Sequence, residues 1–537
     1  MVPGVSRSEP SALSGEPSAS PPTRLPAAWI VAVGGAWLVL AMLLLVAPER
    51  LVLSLASDDA YYYFKIAAHI ARGDGSTFDG IAPTNGYHPV WMAVVVGIHA
   101  AFSGDLVTSA ACALALCGLL CAVTLVLAHR LVDRFVAPGL GAIAVAVLLL
   151  PNALAAMLNG LETSLAMLVT LALAWYCYAR RALDPRTGPR VGIALGAWLG
   201  LAFLSRLDLV FLPIAAGIVT VAAGCSGLAR PRIVLARAAA MLLGFGTLVG
   251  PYLLWNRARF GSFMPISGAV KSSFPEIRQS LHLEGDAVLG LVLLGLVSLL
   301  VAIVSFREMR RRGGLALVDS PLPMIWMACC GHFLNIYLFM SWGVYWWHFT
   351  LSAAALALAL PAALAMLPQL PRRLVLAASA AVAAAALTAQ LGLASNRLVR
   401  HEAWYDAALW ARRHSDRDAV FALKDAGLFS YFSERRVVNL DGKANSRAYW
   451  DHVKSGKVDR YLRDAQVSYV ADIDGVCDDR TCVIKILTPN RPAAFIRLRT
   501  QDEVFRGEHY AVRGFSPVGG AAQFVVWRYP GHPRRPG

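Results

Sequence analysis

PAAWIVAVGGAWLVLAMLLLVA, residues 26–47, is an apolar run of membrane length, and about ten residues beyond it stand two adjacent carboxylates, in Ser57-Asp58-Asp59-Ala60-Tyr61. At 1.5 Å per helical residue such a run crosses about 30 Å of hydrocarbon. An ion inside that layer costs several kcal/mol, whereas a charged pair just past the exit is free to act at the membrane surface. The position therefore points to chemistry on a lipid-linked substrate.

Ten more runs follow: 107–128, 137–157, 161–179, 190–204, 207–224, 235–254, 285–305, 321–341, 345–366 and 372–392. Hydrophobic residues make up 57% of the 537 positions and charged ones 15%, the balance of a polytopic membrane protein. With ten further spans, and with no small-residue cleavage site before Pro48, the first run reads as an uncleaved anchor, not a secretory signal. The formal charge of +15 raises the question of nucleic acid, but the arginines punctuate the apolar runs and form no soluble basic patch.

Their placement orients the chain. If the head carrying Arg7 and Arg24 is cytoplasmic, the loops His129–Arg134, Arg180–Arg190, Arg230–Arg237 and Arg307–Arg312, with Arg372 and Arg373, fall on the same side. Asp58, Asp59, Asp74, Asp79, Asp105, Glu162, Asp208, Glu276, Glu284 and Asp286 fall on the other. This requires that Pro89–Phe102, about fourteen residues against the usual 17 to 25, lie on the outer surface instead of crossing. Ala60–Arg72 is a second juxtamembrane helix, with Tyr63, Ile66, Ala67 and Ile70 on one face and Tyr62, Lys65, His69 and Arg72 on the other.

From about Ala394 the composition becomes that of a soluble α/β domain. Strands are expected at Ala419–Lys424, Arg436–Leu440, Val467–Ile473 and Gln523–Arg528, with helices at His401–His414 and Tyr461–Ala465. The expected organisation is a disordered cytoplasmic head (1–25), a domain of about eleven transmembrane helices (26–393) and an extracytoplasmic domain (394–537). Seven of the nine cysteines lie in apolar runs as small buried hydrophobes, whereas Cys477 and Cys482 flank a polar turn in the outer domain and read as a local disulfide. With no histidine nearby, that pair is a poor metal site.

Five motifs share the outer side: Asp58-Asp59-Ala60-Tyr61, Asn85-Gly86-Tyr87-His88-Pro89-Val90-Trp91, Gly160-Leu161-Glu162-Thr163, Arg206-Leu207-Asp208, and Met264-Pro265 leading to Lys271. In this order they resemble the GT-C superfamily of membrane glycosyltransferases, which use polyprenyl-phosphate sugars. The likeness is greatest to the branch of the mycobacterial terminal arabinofuranosyltransferases. The resemblance implies a bacterial-type inner-membrane enzyme, with its site and carboxy-terminal domain outside the cytoplasm. It implies a lipid-linked donor and a glycan, lipid or protein acceptor.

The chemistry needs a base for the acceptor hydroxyl and cations for the departing phosphate. One carboxylate suffices for a single inverting displacement. Asp58 is expected as the base, with Asp59 as its partner or an acceptor ligand; capping of the helix start is the structural alternative for the pair. Lys271, Arg206 and His348 are the candidates for the donor phosphate, and His88, Glu162 and Tyr61 for sugar or acceptor. An ion pair with Asp208 is the alternative for Arg206, and an aromatic membrane belt that for the segment around His348. No metal ligand set or cofactor is identified. A divalent cation stays open, because two carboxylates can bind one although relatives with monophosphate donors work without metal. A lipid-linked sugar transporter and a non-enzymatic envelope assembly factor are the other readings; the first calls for mid-span charges and related halves, which are not evident.

Overall fold

The computed structural model describes residues 27–102, 104–277, 285–367, 371–472, 476–477, 480–486, 494–507, 510–511 and 521–530. Among them, seven helices are long and apolar enough to cross a membrane, or eight if the first bent pair is one span. That pair turns through 119° between Val33–Val46 and Pro48–Leu55. The run at 137–157 is broken into Gly141–Leu148 and Pro151–Met157. Pro151 supplies the reason, since its ring disfavours a helical residue before it and Leu150 is extended (φ −51°, ψ 141°). Pro189–Ser205 is a shorter apolar helix. It lies so close to Pro231–Phe260 that a side chain at Gly196 would strike the Met241 carbonyl, and one at Gly244 that of Ile193.

Between the first and second long apolar segments lie the helices Asp58–Arg72 and Pro89–Ala101. Gly73, at φ 86°, closes the former in the left-handed region. Its faces do not divide as the heptad pattern suggests. Lys65 and His69 are buried along with Phe64 and Ile66, because the carboxy-terminal region is folded onto the presumed water face.

That region follows a 43-residue helix, Arg372–His414, within which Ala394 falls. It contains a five-stranded sheet in the order Arg436–Asn439, Val420–Leu423, Tyr469–Asp472, Val525–Arg528, Glu503–Arg506. The first three strands are parallel and the last two antiparallel. The chain leaves Val420–Leu423 for one neighbour and later returns to the other, so the order reverses at this strand. Open α/β sheets bind ligands at the carboxyl ends of strands around such a reversal. Here those ends face the Asp58–Arg72 helix.

One apolar core joins the two parts, with Tyr61, Phe64 and Trp91 packed with Phe421, Phe429, Tyr431 and Phe524. Cys477 and Cys482 are paired across antiparallel strands, and Cys482 is buried and disulfide-bonded, while the side chain of Cys477 lies outside the described residues.

Candidate active site

A cavity of about 330 Å³ opens where the ends of several membrane helices meet the carboxy-terminal sheet. Asp59, Tyr62, His88, Glu162, Arg206, Asp208, Lys271, His332, His348 and Lys443 line it.

One wall begins at the loop before Pro89. Asn85 accepts a hydrogen bond from the Ile266 N–H at 3.0 Å and donates to the Asn256 side chain at 3.1 Å. It thereby fixes the start of the short helix Ile266–Lys271, whose last carbonyl accepts from the Ser341 N–H at 2.9 Å. Lys271 is held by its backbone at both ends, and among the described residues its ammonium has neither ion-pair nor hydrogen-bond partner. Burial pushes its pKa down, against the attraction of Asp59.

Beside it stands Lys443, on the loop after Arg436–Asn439. Its ammonium lies 3.2 Å from Asp59 Oδ1, 3.5 Å from Asp441 Oδ2 and 3.6 Å from Asp425 Oδ1. It also sits over the rings of Tyr62 and Trp342, at 5.5 and 5.3 Å. The loop is seated by Thr84, whose hydroxyl donates to the Asn445 carbonyl at 3.0 Å. Gly86 meets it so closely that any Cβ would collide with the Lys443 carbonyl oxygen. Burial opposes ionisation of Asp59, but the Lys443 and Lys271 ammoniums outweigh it and hold the carboxyl below its usual range. The same contacts hold the Lys443 pKa well up, despite its burial.

The opposite wall is an ionic lattice. Arg206 Nε donates to both oxygens of Asp208, at 2.9 and 3.0 Å, and its Nη1 is 3.8 Å from Glu162. Glu162 accepts from the Tyr63 hydroxyl at 3.0 Å and lies 3.4 Å from His88 Nε2. His88 Nδ1 accepts the Leu207 N–H at 3.0 Å, which leaves the proton of the neutral ring on Nε2, facing Glu162. Burial pushes the His88 pKa down. In the turn Trp346–Phe349, His348 Nδ1 accepts from the Tyr345 N–H at 2.9 Å, so the proton of its neutral ring is likewise on Nε2.

Of the residues expected from sequence, the cavity gathers Asp59, Lys271, Arg206, His348, His88 and Glu162. Asp58 and Tyr61 lie elsewhere. The Asp58 carboxylate accepts from the Leu428 N–H at 2.8 Å and the Gly427 N–H at 3.3 Å, at the start of the helix Gly427–Ser433. Burial, with the Asp425 charge, raises its pKa. It caps a helix as the structural alternative held, but the helix belongs to the other part of the molecule. Tyr61 is fully buried against Tyr431 and Phe432, with its hydroxyl donating to the Val52 carbonyl at 3.2 Å. One residue of helix, a turn of about 100°, separates the cavity from this contact. Among the described residues no group of three or more His, Cys, Asp or Glu could hold a metal ion.

Sequence reasoning missed Lys443, Asp425, Asp441 and His332. The first three lie just past the ends of parallel strands, and the polar Gly turns that close those strands, Lys424-Asp425-Ala426-Gly427 and Asn439-Leu440-Asp441-Gly442-Lys443, were their only signal.

A family model described as a domain of unknown function (DUF8728) matches residues 393–524, the part that contributes Lys443. No curated protein matches the chain in sequence. Among solved structures, ArnT from Cupriavidus metallidurans bound to undecaprenyl phosphate is 13% identical with a TM-score of 0.54, the match covering 88% of this chain and 98% of that one. The same protein in the apo state is 16% identical at 0.52, covering 82% and 93%. The Archaeoglobus fulgidus oligosaccharyltransferase is 14% identical at 0.47, covering 83% and 70%. The chain shares its overall fold with ArnT.

Proposed function

We propose that this protein moves a sugar from a polyprenyl-phosphate donor to an acceptor hydroxyl outside the cytoplasm, with Asp59 as general base. The observation that carries the reading is the cavity itself. It holds a carboxylate from a juxtamembrane helix, kept below its usual pKa by nearby ammoniums, together with a lysine that forms no ion pair or hydrogen bond among the described residues. The solved relative of like fold binds undecaprenyl phosphate, and a lipid phosphate is the class of ligand that Lys271 suits.

In the reaction, the acceptor oxygen attacks the anomeric carbon and its proton passes to Asp59. The bond from that carbon to the donor phosphate breaks as the new glycosidic bond forms, and Lys271 takes up the charge left on the phosphate. One displacement at one carbon inverts its configuration. Lys443 is a positioning residue: it keeps Asp59 ionised and aims it, while Asp425 and Asp441 keep Lys443 in place. The His348 and His88 imidazoles and the Glu162 carboxylate serve as donors and acceptors for sugar hydroxyls. Arginines gathered at the far ends of the helices, such as Arg181 and Arg312 paired with Asp319, support a cytoplasmic side opposite the cavity.

Purified protein in lipid nanodiscs, supplied with radiolabelled polyprenyl-phosphate sugars, tests the reading, and arabinofuranose is the first sugar to try. Transfer by the parent and its loss in Asp59→Asn are expected. Equal transfer by the two would remove the base and with it the mechanism.

A further inference from the structure

A second cavity, of about 520 Å³, opens farther along the Asp58–Arg72 helix, where Lys65, His69 and Arg72 face Arg417, Arg435 and Arg436 of the carboxy-terminal region. The acidic side chains around it are already engaged. Asp79 accepts from the Ile81 and Ala82 N–H groups at 2.8 and 2.9 Å, Asp74 pairs with Arg72 at 3.2 Å, and Glu434 pairs with Arg412 at 2.8 Å. Arg435 donates only to neutral oxygens, among them the hydroxyl and carbonyl of Ser415 at 3.1 and 3.0 Å.

Lys65, Arg417 and Arg436 form no ion pair among the described residues, and only the more distant charges of Glu434 and Asp74 act on Lys65. Lys65 is 6% exposed, and among the described residues its ammonium makes one hydrogen bond, to the Arg435 carbonyl at 3.4 Å. Arg417 and Arg436 are exposed at the rim and form no ion pair among the described residues. A buried ammonium without a counter-charge is costly unless something else supplies one. Burial and the Arg72 guanidinium hold Lys65 down to about 8.

We propose that this cavity binds a phosphate-class oxyanion, carried by a soluble phosphorylated molecule or by an anionic lipid headgroup. Lys65 would meet the charge at the floor, with Arg417 and Arg436 closing on it from the rim. The forked guanidinium donors suit such a group. The site is separate from the transfer cavity and stands whether or not the chain is a transferase.

The test uses full-length protein in nanodiscs of zwitterionic lipid. Inorganic phosphate at constant ionic strength is expected to raise the melting temperature, and Arg417→Gln with Arg436→Gln to weaken the apparent phosphate affinity by about tenfold or more. Lys457→Gln with Arg528→Gln removes the same charge from exposed positions elsewhere and should leave that affinity unchanged. In a second arm, phosphatidylglycerol replaces phosphate. Stabilisation there that depends on Arg417 and Arg436 assigns the headgroup as the source, and stabilisation by phosphate alone assigns a soluble ligand. If neither probe separates the two double variants, the cavity is not an oxyanion site.

Discussion

The two walls of the transfer cavity carry similar cations in opposite conditions. Arg206 is 3% exposed, its guanidinium engaged by Asp208 and Glu162, with Thr163 and Thr350 hydroxyls at 3.4 and 3.5 Å. Lys271 stands across the cavity and forms no ion pair among the described residues. A cation whose charge is met by neighbouring carboxylates braces the walls, whereas one left unmet is ready for a ligand's phosphate. Residue type and position in the sequence do not separate the two conditions; the neighbours do.

The largest effect should come from breaking the braced wall. Arg206→Gln leaves Glu162 and Asp208 without their counter-charge, and the expected cost is about 3–5 kcal/mol of stability. A melting curve in detergent would register it as a large drop, along with poor yield. A variant as stable as the parent but with weak donor binding would reverse the roles assigned to the two walls.

On the open wall, Asp59→Asn should lower transfer by roughly 100-fold with donor binding retained. Lys271→Ala should weaken donor binding as well as turnover, each by about tenfold or more. Separate measurement of donor affinity and single-turnover rate divides the two cases. Retained affinity in Lys271→Ala would take the phosphate away from this lysine.

A subtler effect belongs to Lys443. Its ammonium, more than that of Lys271, holds the Asp59 carboxyl low, so base activity persists to acidic pH and is lost only as pH falls below the usual carboxylate range. In Lys443→Gln, burial is opposed by Lys271 alone and the carboxyl pKa rises. The acid limb of kcat/KM should then move to higher pH, a change that loosened packing alone would not produce. An unmoved limb, with activity merely scaled down, would make Lys443 a packing residue.

The smallest effect is expected at Asp58→Asn. The amide keeps one acceptor for the Gly427–Ser433 helix, so stability should fall by about 1 kcal/mol and transfer by much less than in Asp59→Asn. A 100-fold loss at Asp58 with none at Asp59 would restore the assignment that the sequence suggests.

Much of this architecture is legible in the sequence because its signals are local. Apolar runs mark where helices lie, and Pro151 marks the break in the third run, although length alone suggests an unbroken span. Six of the eight expected site residues reach one cavity since they sit at the same ends of successive helices. What the pattern leaves out is docking. Lys65 and His69 read as a water face until the segment around Arg435 meets them, and Asp58 and Asp59 are alike until Leu428 supplies an N–H to one and Lys443 an ammonium to the other. Such partners stand some 370 residues away or more along the chain, where neither periodicity nor spacing reaches.

The 43-residue helix Arg372–His414 sets the mechanical terms for all of this. Run straight it would measure roughly 65 Å, about twice the hydrocarbon layer, and only the short turn 415–419 separates it from the first strand of the sheet. The carboxy-terminal part is thus mounted on a mast, not a tether. A mast resists swinging, and the apolar core shared by the two parts resists it as well, so substrates have to approach the cavity from the side, between parts that keep their spacing.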